Sequence, residues 1–271
     1  MISKDDYMRV LAMVQREKGL DFSGYKQGVL MRRVSSRFQV TRSESFRGYA
    51  AYLRRHPGEW DKLLQALTVN VTKFFRDAAV FGAISEKVIP EIIESKARRS
   101  VKPVRLWSCG CADGSEAVSL LIVLAERLGD RLGEFRISIT ATDIDRESLA
   151  RAREGVYEEA QLGGMDPALR ARYFLGEPGG RYALRSEWKG LIRVKHHDAA
   201  KDKPFTGMDL IVCRNMLIFL SRSSQEDILA ALHRALGRDG FLVLGLTESL
   251  RGRAAAGFET FDGPGRIFRK S

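Results

Sequence analysis

The sequence predicts an α/β chain: a doubly wound, Rossmann-like sheet, a small all-helical N-terminal domain and an inserted antiparallel β-subdomain. Three observations carry this. An apolar run at Val104, Leu106 and Trp107 ends in a turn with Gly110 and Gly114, and a long apolar helix follows at about 116–128. Strand, glycine turn and helix open a nucleotide-binding unit. A second strand, Arg136-Ile-Ser-Ile-Thr-Ala-Thr-Asp143, ends in an acid. Before residue 80, apolar residues recur at helical spacing, whereas hairpin signals gather between Gly176 and Val194; the period separates the two kinds of element.

The glycine turn lets backbone approach a ligand, since glycine has no Cβ. The helix after it is apolar nearly all round, from Ala117 to Leu124, and is expected to be buried, with Gly129 as its stop. An acid ending the second strand of such a fold holds ribose hydroxyls. Asp143 and Asp145 could both cap the following helix; the preferred split gives Asp143 to a ribose and Asp145 to the N-cap, with Gly155 as the stop. The turn lacks the full Gly-x-Gly-x-x-Gly pattern and a basic phosphate clamp. A ribose-bearing ligand without pyrophosphate therefore fits better than NAD, and S-adenosylmethionine is such a ligand.

A length of 271 residues suits one large domain and a small one. With 44% hydrophobic and 29% charged residues the chain reads as globular. It has no run of about 18 apolar residues and no apolar signal region, so membrane insertion is not expected and the cytoplasm is. Three cysteines, Cys109, Cys111 and Cys213, show no metal spacing, so reduced thiols and no metal are expected. The net charge of +11 favours an acidic partner; an arginine-rich surface style accounts for it equally well.

In order, Ser3-Lys-Asp-Asp6 caps a first helix with Tyr7, Val10, Leu11 and Val14 on one face. A second helix, 25–38, turns Leu30, Met31, Val34 and Phe38 inward. Lys26, Arg33 and Arg37 share another face, with Arg32 beside them, either as a solvated stripe or as a dock for an acidic partner. Helices at 45–55 and 59–67 follow. The stretch Thr68-Val-Asn-Val-Thr-Lys-Phe-Phe-Arg-Asp77 is read as the join to the α/β domain; its Phe74 and Phe75 are expected in the core. Residues 78–95 form a helix that Pro90 kinks or divides. After Gly155 come loop, a short helix at 168–173 and short strands up to Val194. His196 and His197 are read as a surface pair with no catalytic task. Asp209 to Cys213 is a buried strand, and Arg214 and Asn215 sit where it emerges, at the crevice end of such sheets. Ser223-Ser-Gln-Glu226 is a capping box, a strand spans 241–246, and Arg266-Ile-Phe-Arg269 closes the sheet antiparallel.

Asn70-Val-Thr-Lys-Phe-Phe-Arg-Asp77 resembles the Asn-x-Thr-x-Phe-Phe-Arg block of the chemotaxis receptor methyltransferases, the CheR family. Trp107-Ser-Cys-Gly-Cys111, Ala141-Thr-Asp-Ile-Asp145 and Cys213-Arg-Asn-Met-Leu-Ile-Phe-Leu220 resemble three further blocks, in the same order over nearly the whole chain. The resemblance implies a helical domain (1–80), an S-adenosylmethionine-dependent methyltransferase domain (81–271) and a β-subdomain (176–195) for partner docking. It implies methyl transfer to receptor glutamates, leaving S-adenosylhomocysteine. By position, Asn70, Thr72, Arg76, Glu116, Asp143, Asp198, Ala199, Asn215 and Met216 would contact the cofactor. The face with Lys26, Arg32, Arg33 and Arg37 would meet the receptor's acidic methylation helices. In some members the β-subdomain binds a peptide at the receptor's C-terminus. A monomer is expected.

Glutamate is already a nucleophile at neutral pH, so no general base is needed; a cation must orient it, and Arg76 is the candidate catalytic residue. The chain departs from the family where Asp113-Gly-Ser-Glu-Ala-Val-Ser119 replaces Thr-Gly-Glu-Glu-Pro-Tyr-Ser, at Asp198 in place of Asn, and at Phe219 in place of Tyr. The altered turn motivates a second reading, a methyltransferase-fold scaffold. The charge motivates a third, a nucleic-acid methyltransferase, although Cys213-Arg-Asn-Met216 stands where that chemistry uses Asn-Pro-Pro-aromatic.

Overall fold

The computed structural model describes residues 2–68 and 72–271. It divides into a helical unit, 1–70 with Phe219–Gln225, and an α/β unit, 71–218 with Glu226–Ser271. The 72–77 stretch thus belongs with the sheet, and the expected boundary near residue 80 moves back.

The helical unit holds α1 (Lys4–Lys18), α2 (Gln27–Val40), α3 (Phe46–Arg55) and α4 (Gly58–Thr68). Local chemistry starts α1 and α3: the Asp6 amide donates to Ser3 Oγ at 3.0 Å and the Gly48 amide to Ser45 Oγ at 3.2 Å, the N-cap pattern. Val10, Val14, Leu30, Val34, Phe38, Leu53, Leu63 and Leu67 form its core. Glu59 is buried there. It accepts both arms of Arg37, at 2.9 and 2.6 Å, and the Tyr49 hydroxyl at 2.8 Å. Residues 219–225 complete the unit: the Lys26 amide donates to Phe219 O and the Ser221 amide to Gly24 O, both at 2.8 Å.

The α/β unit begins with α5 (Ala78–Ala83) and α6 (Ile89–Lys96), separated by a wide π-turn at Ile84–Val88. Pro90 lies in the first turn of α6, where its missing N–H costs nothing, so the expected division falls just before the proline. Then follow β1 (Pro103–Cys109), α7 (Ser115–Leu128), β2 (Arg136–Asp143), α8 (Arg146–Glu154), β3 (Val156–Glu158), α9 (Glu159–Leu162), α10 (Pro167–Tyr173), β4 (Phe174–Glu177), β5 (Arg181–Leu184), α11 (Ser186–Lys189), β6 (Ile192–His196), β7 (Met208–Cys213), α12 (Arg222–Ala235), β8 (Leu236–Leu244), β9 (Phe258–Asp262) and β10 (Ile267–Lys270).

The large sheet runs β6-β2-β1-β7-β8-β10-β9. Its first five strands are parallel, and β10 and β9 turn antiparallel. The chain steps outward from β1 on one side and returns to β7 on the other, so a topological switch point lies between β1 and β7. Ligands bind such folds at the carboxyl ends of those strands. Leu106, Leu120, Leu121, Leu124, Ile139, Leu210, Val212 and Val243 seal the sheet against its helices.

The second sheet is β3-β5-β4, all antiparallel. Its Tyr157, Phe174 and Leu184, with Tyr173 of α10, pack with Val118, Ile122 and Ala125 of α7, and with Phe74. The expected subdomain at 176–195 is therefore corrected at both ends. It starts with β3, and its last strand, β6, is a parallel strand of the large sheet. Two smaller corrections concern α12 and β9. Helix α12 is capped by Ser221, whose Oγ accepts the Ser224 amide at 3.3 Å, in place of Ser223. The edge strand β9 is a short run, Phe-Glu-Thr-Phe-Asp, whose apolar residues do not alternate, so no strand period marks it in the sequence.

Candidate active site

The site grows from the turn after β1. The Gly110 and Cys111 amides donate to Thr142 O at 2.8 and 2.9 Å, which bends the chain back across β2. Gly110 has φ +79° and Gly114 +88°. A Cβ on Gly110 would stand 3.1 Å from the Met216 sulfur, and one on Gly114 3.1 Å from Ala152. Conformation and space both demand glycine there. Ala112 also has positive φ, +47°, and is held so by its amide's bond to Asp143 Oδ2 at 3.0 Å.

Asp145 takes the N-cap of α8, as the sequence predicts. Asp145 accepts the Glu147 amide and the Ser148 hydroxyl, at 3.0 and 2.9 Å, and caps α8. Asp143 Oδ1 takes the Asp145 amide at 2.9 Å. Two backbone donors fix this carboxylate and leave lone pairs on both oxygens, as a vicinal diol requires. Burial pushes its pKa up, against those donors.

The altered 113–118 stretch still closes the turn. Asp113 Oδ1 accepts the Ser115 amide and hydroxyl at 3.0 and 2.6 Å, and its Oδ2 the Gln161 side chain at 2.8 Å. Tyr157 Oη donates to Asp113 O at 3.3 Å, so the small sheet braces the turn.

Glu116 follows in the first turn of α7. It accepts Ser108 Oγ at 2.8 Å, and Arg214 Nη1 lies 3.6 Å away. Burial pushes this carboxyl up to about 7, against Arg214 and the Ser108 hydrogen bond. Arg214 in turn donates to Asp77 Oδ2 at 2.5 Å. The 72–77 segment is pinned to α7 by the Phe75 amide on Ser119 Oγ at 3.0 Å. It turns through positive φ at Phe75 and Asp77. Phe74 sits edge-on to Tyr157 at 4.8 Å and Phe75 to Phe81 at 5.6 Å, so both aromatics pack as expected. Thr72 and Arg76 are half-buried, and the charge of Arg76 acts on Glu116.

On the far side of the turn, Asn215 has φ +59°. Its amide donates to Glu248 Oε2 at 3.0 Å. The same carboxylate takes the Gly245 amide at 2.7 Å and the Ile218 amide at 3.2 Å. Asp198 closes its own turn, accepting the Ala200 amide at 2.9 Å, and Ala199 is buried. The strand end that carries them is tied to the site by the His197 amide on Asp143 O at 3.1 Å.

The structure thus gathers Arg76, Glu116, Asp143, Asn215 and Met216 around one turn. Asn70 lies outside the described residues. The four cations of α2 do not form one docking stripe: Lys26 and Arg32 are exposed, but Arg37 pairs with Glu59, and Arg33 donates to Ala66 O at 2.6 Å beneath the Phe219 ring. Of the histidine pair only His196 is exposed; His197 is buried against Trp107 and Phe205. Sequence reading gave no role to Arg214, Ser108 or Glu248. The signal for Arg214 was its place at the strand's end. Glu248 had none beyond being an acid after β8. Among the described residues no group of three or more His, Cys, Asp and Glu side chains could hold a metal ion.

These residues fit a cofactor with an ammonium and a ribose: a half-buried carboxylate in the first turn of α7, another at the end of β2, and a backbone cradle that a Cβ would fill. Residues 70–265 match the family model described as the CheR methyltransferase SAM binding domain, and 5–68 match the CheR methyltransferase all-alpha domain. The chemotaxis protein methyltransferase of Listeria innocua is 30% identical over 257 residues, 95% of each chain. That of Escherichia coli is 29% identical over 262 residues, 92% of this chain and 85% of that one. A 104.1 kDa protein of Rhodobacter capsulatus, described as uncharacterized, is 31% identical over 243 residues. The match covers 89% of this chain and 25% of that protein, so the chain spans about a quarter of that relative's length.

Proposed function

This chain belongs to the CheR methyltransferase family, and we propose that it methylates glutamate side chains of chemoreceptors, giving methyl esters, with S-adenosylmethionine as donor. The observation that carries this is the placing of Glu116 just after the glycine turn, in the first turn of α7, and of Asp143 at the end of β2, where it holds the turn's Ala112 amide. When bound, the cofactor supplies an electrophilic methyl group on a sulfonium. Glu116 takes the ammonium, Asp143 the ribose, and Asn215 and Met216 border the cradle that Gly110 opens. No proton needs to leave the substrate carboxylate, because it is ionised at neutral pH. The protein's task is alignment of oxygen, carbon and sulfur in a line, and exclusion of water. Arg76 orients the carboxylate. It must hold it no more tightly in the ground state than in the transition state, or the nucleophile is quenched.

The closure of the turn by Asp113, Gln161 and Tyr157 supports a working cofactor site over a scaffold. For the partner, exposed Lys26 and Arg32 suit acidic receptor helices. The β4 edge of the small sheet, with Leu175 49% exposed, suits an added peptide strand. No helix among the described residues is long and apolar enough to cross a membrane, and the cytoplasm is the proposed location.

The test is titration with S-adenosylmethionine followed by transfer of labelled methyl groups to receptor. Micromolar binding and a base-labile label on protein are expected. Binding without transfer would favour the scaffold reading, and a base-stable label on RNA the nucleic-acid reading.

A further inference from the structure

Arg214 holds a position that neither cofactor carboxylate explains. It directly follows β7, with its side chain 1% exposed. Nη2 bonds Asp77, the last residue of the 72–77 segment. Nη1 stops 3.6 Å from Glu116, near enough for attraction and too far for a hydrogen bond. Nε and Nη1 are buried without a hydrogen-bond partner. Idle donors on a buried cation are costly, and the Phe81 ring at 5.6 Å offsets part of that cost. One guanidinium therefore stands between two carboxylates that come from different segments: Asp77 beside Arg76, and Glu116 at the head of α7.

We propose that Arg214 is a positioning residue that couples the 72–77 segment to the ammonium subsite. It keeps Glu116 a carboxylate for the cofactor's ammonium and, through Asp77, fixes the segment that carries Thr72 and Arg76. This rests on the methyltransferase reading. The groups facing Glu116 are Arg214 from just after β7, Arg76 from the 72–77 segment, Ser108 from β1, Glu248 from the loop after β8, and the Cys111 and Cys213 thiols. Of the two cations Arg214 acts on Glu116 more strongly, and it is also the one that bridges.

The experiment is calorimetric titration with S-adenosylmethionine across about pH 5.5–8, where the ligand keeps its ammonium, for the wild-type chain and the variants R214M, R214K and D77N. In the wild type, affinity rises with pH and levels off once Glu116 is ionised. Without the cation Glu116 ionises later, so R214M moves the midpoint up by about one unit, a loss of about fivefold at pH 7 that deepens toward tenfold below it and narrows as pH rises toward 8. R214K keeps a charge but cannot span both carboxylates, and shifts the midpoint in the same direction by less. D77N weakens binding without raising the midpoint, because it removes only the tie to the segment. A loss uniform across pH in both Arg214 variants, or wild-type profiles in R214K and D77N, overturns the inference. R214K and D77N decide it alone if R214M does not fold. A folded wild-type chain that binds at no pH overturns the methyltransferase reading, and the inference with it.

Discussion

The Glu248 carboxylate accepts the amide of Asn215 at 3.0 Å. Asn215 needs that bond because its backbone is in the left-handed region, at φ +59°, which costs a non-glycine residue of order 1 kcal/mol or more. Glu248 is buried, and with the Gly245 and Ile218 amides it binds the loops after β7 and β8 into one piece. An amide side chain would turn an N–H toward one of these three donors. Glu248→Gln should therefore weaken S-adenosylmethionine binding about ten- to a hundredfold, the worth of a charge-assisted hydrogen bond or two. The measurement is a binding isotherm, with circular dichroism to confirm the fold. Wild-type affinity in a folded variant would strip Glu248 of this role.

Asp143 makes a sharper case, because both of its oxygens already hold backbone amides. Asp143→Asn must point its NH2 at one of those amides and loses charge toward a ribose. Affinity should fall by roughly tenfold or more. S-adenosylhomocysteine should lose as much, since the two molecules share the ribose. A variant that loses only the sulfonium compound would move Asp143 away from the sugar.

The parts of this site that were legible in the sequence are those whose chemistry is local. Gly110 and Gly114 signal a turn wherever they stand, and the Asp145 cap follows from one strand end and the helix after it. The α2 stripe was misread because spacing tells which face a residue occupies and not what faces it. Arg37 meets Glu59, 22 residues on, and no local rule pairs them. The same limit hid Glu248, whose three partners come from two separate loops. Strand β6 was misplaced because an alternating run reads alike in a hairpin and on the edge of a parallel sheet. Its register with β2, from Ile139↔Ile192 to Asp143↔His196, is a long-range property.

The pH dependence of cofactor binding follows from Glu116, which burial pushes up to about 7. A cationic ammonium binds the ionised form. Below pH 7 the protonated form dominates, and affinity should fall toward tenfold per unit. Stability runs the other way. Unfolded, the same carboxyl ionises near its ordinary value of about 4.3, so the folded state holds more protons between there and 7, and stability falls as pH rises through that window. Titrations at pH 6 and 8 check the first statement. Thermal melts of the wild type and Glu116→Gln at the same pH values check the second, because the variant should lose this slope. Equal affinity at both pH values would mean that Glu116 is ionised throughout.

Arg37 and Arg32 lie five residues apart on one helix and should behave as opposites. The Arg37 side chain is 15% exposed and its partner Glu59 3%. Removing one member of a buried pair strands the other, at a cost of about 3–5 kcal/mol. Arg37→Met should therefore lower the unfolding temperature of the chain by many degrees and leave kcat on receptor unchanged at temperatures where it stays folded. Glu59→Gln should do the same by the other route. Arg32 is exposed, and its loss should change stability by less than about 0.5 kcal/mol. If α2 meets acidic receptor helices, Lys26→Ala with Arg32→Ala should raise KM for receptor severalfold. That penalty should shrink with salt as the attraction is screened. Melting curves and receptor methylation rates at low and high salt separate the two behaviours. A destabilised Arg32 variant, or an Arg37 variant that changes only KM, would reverse the two roles.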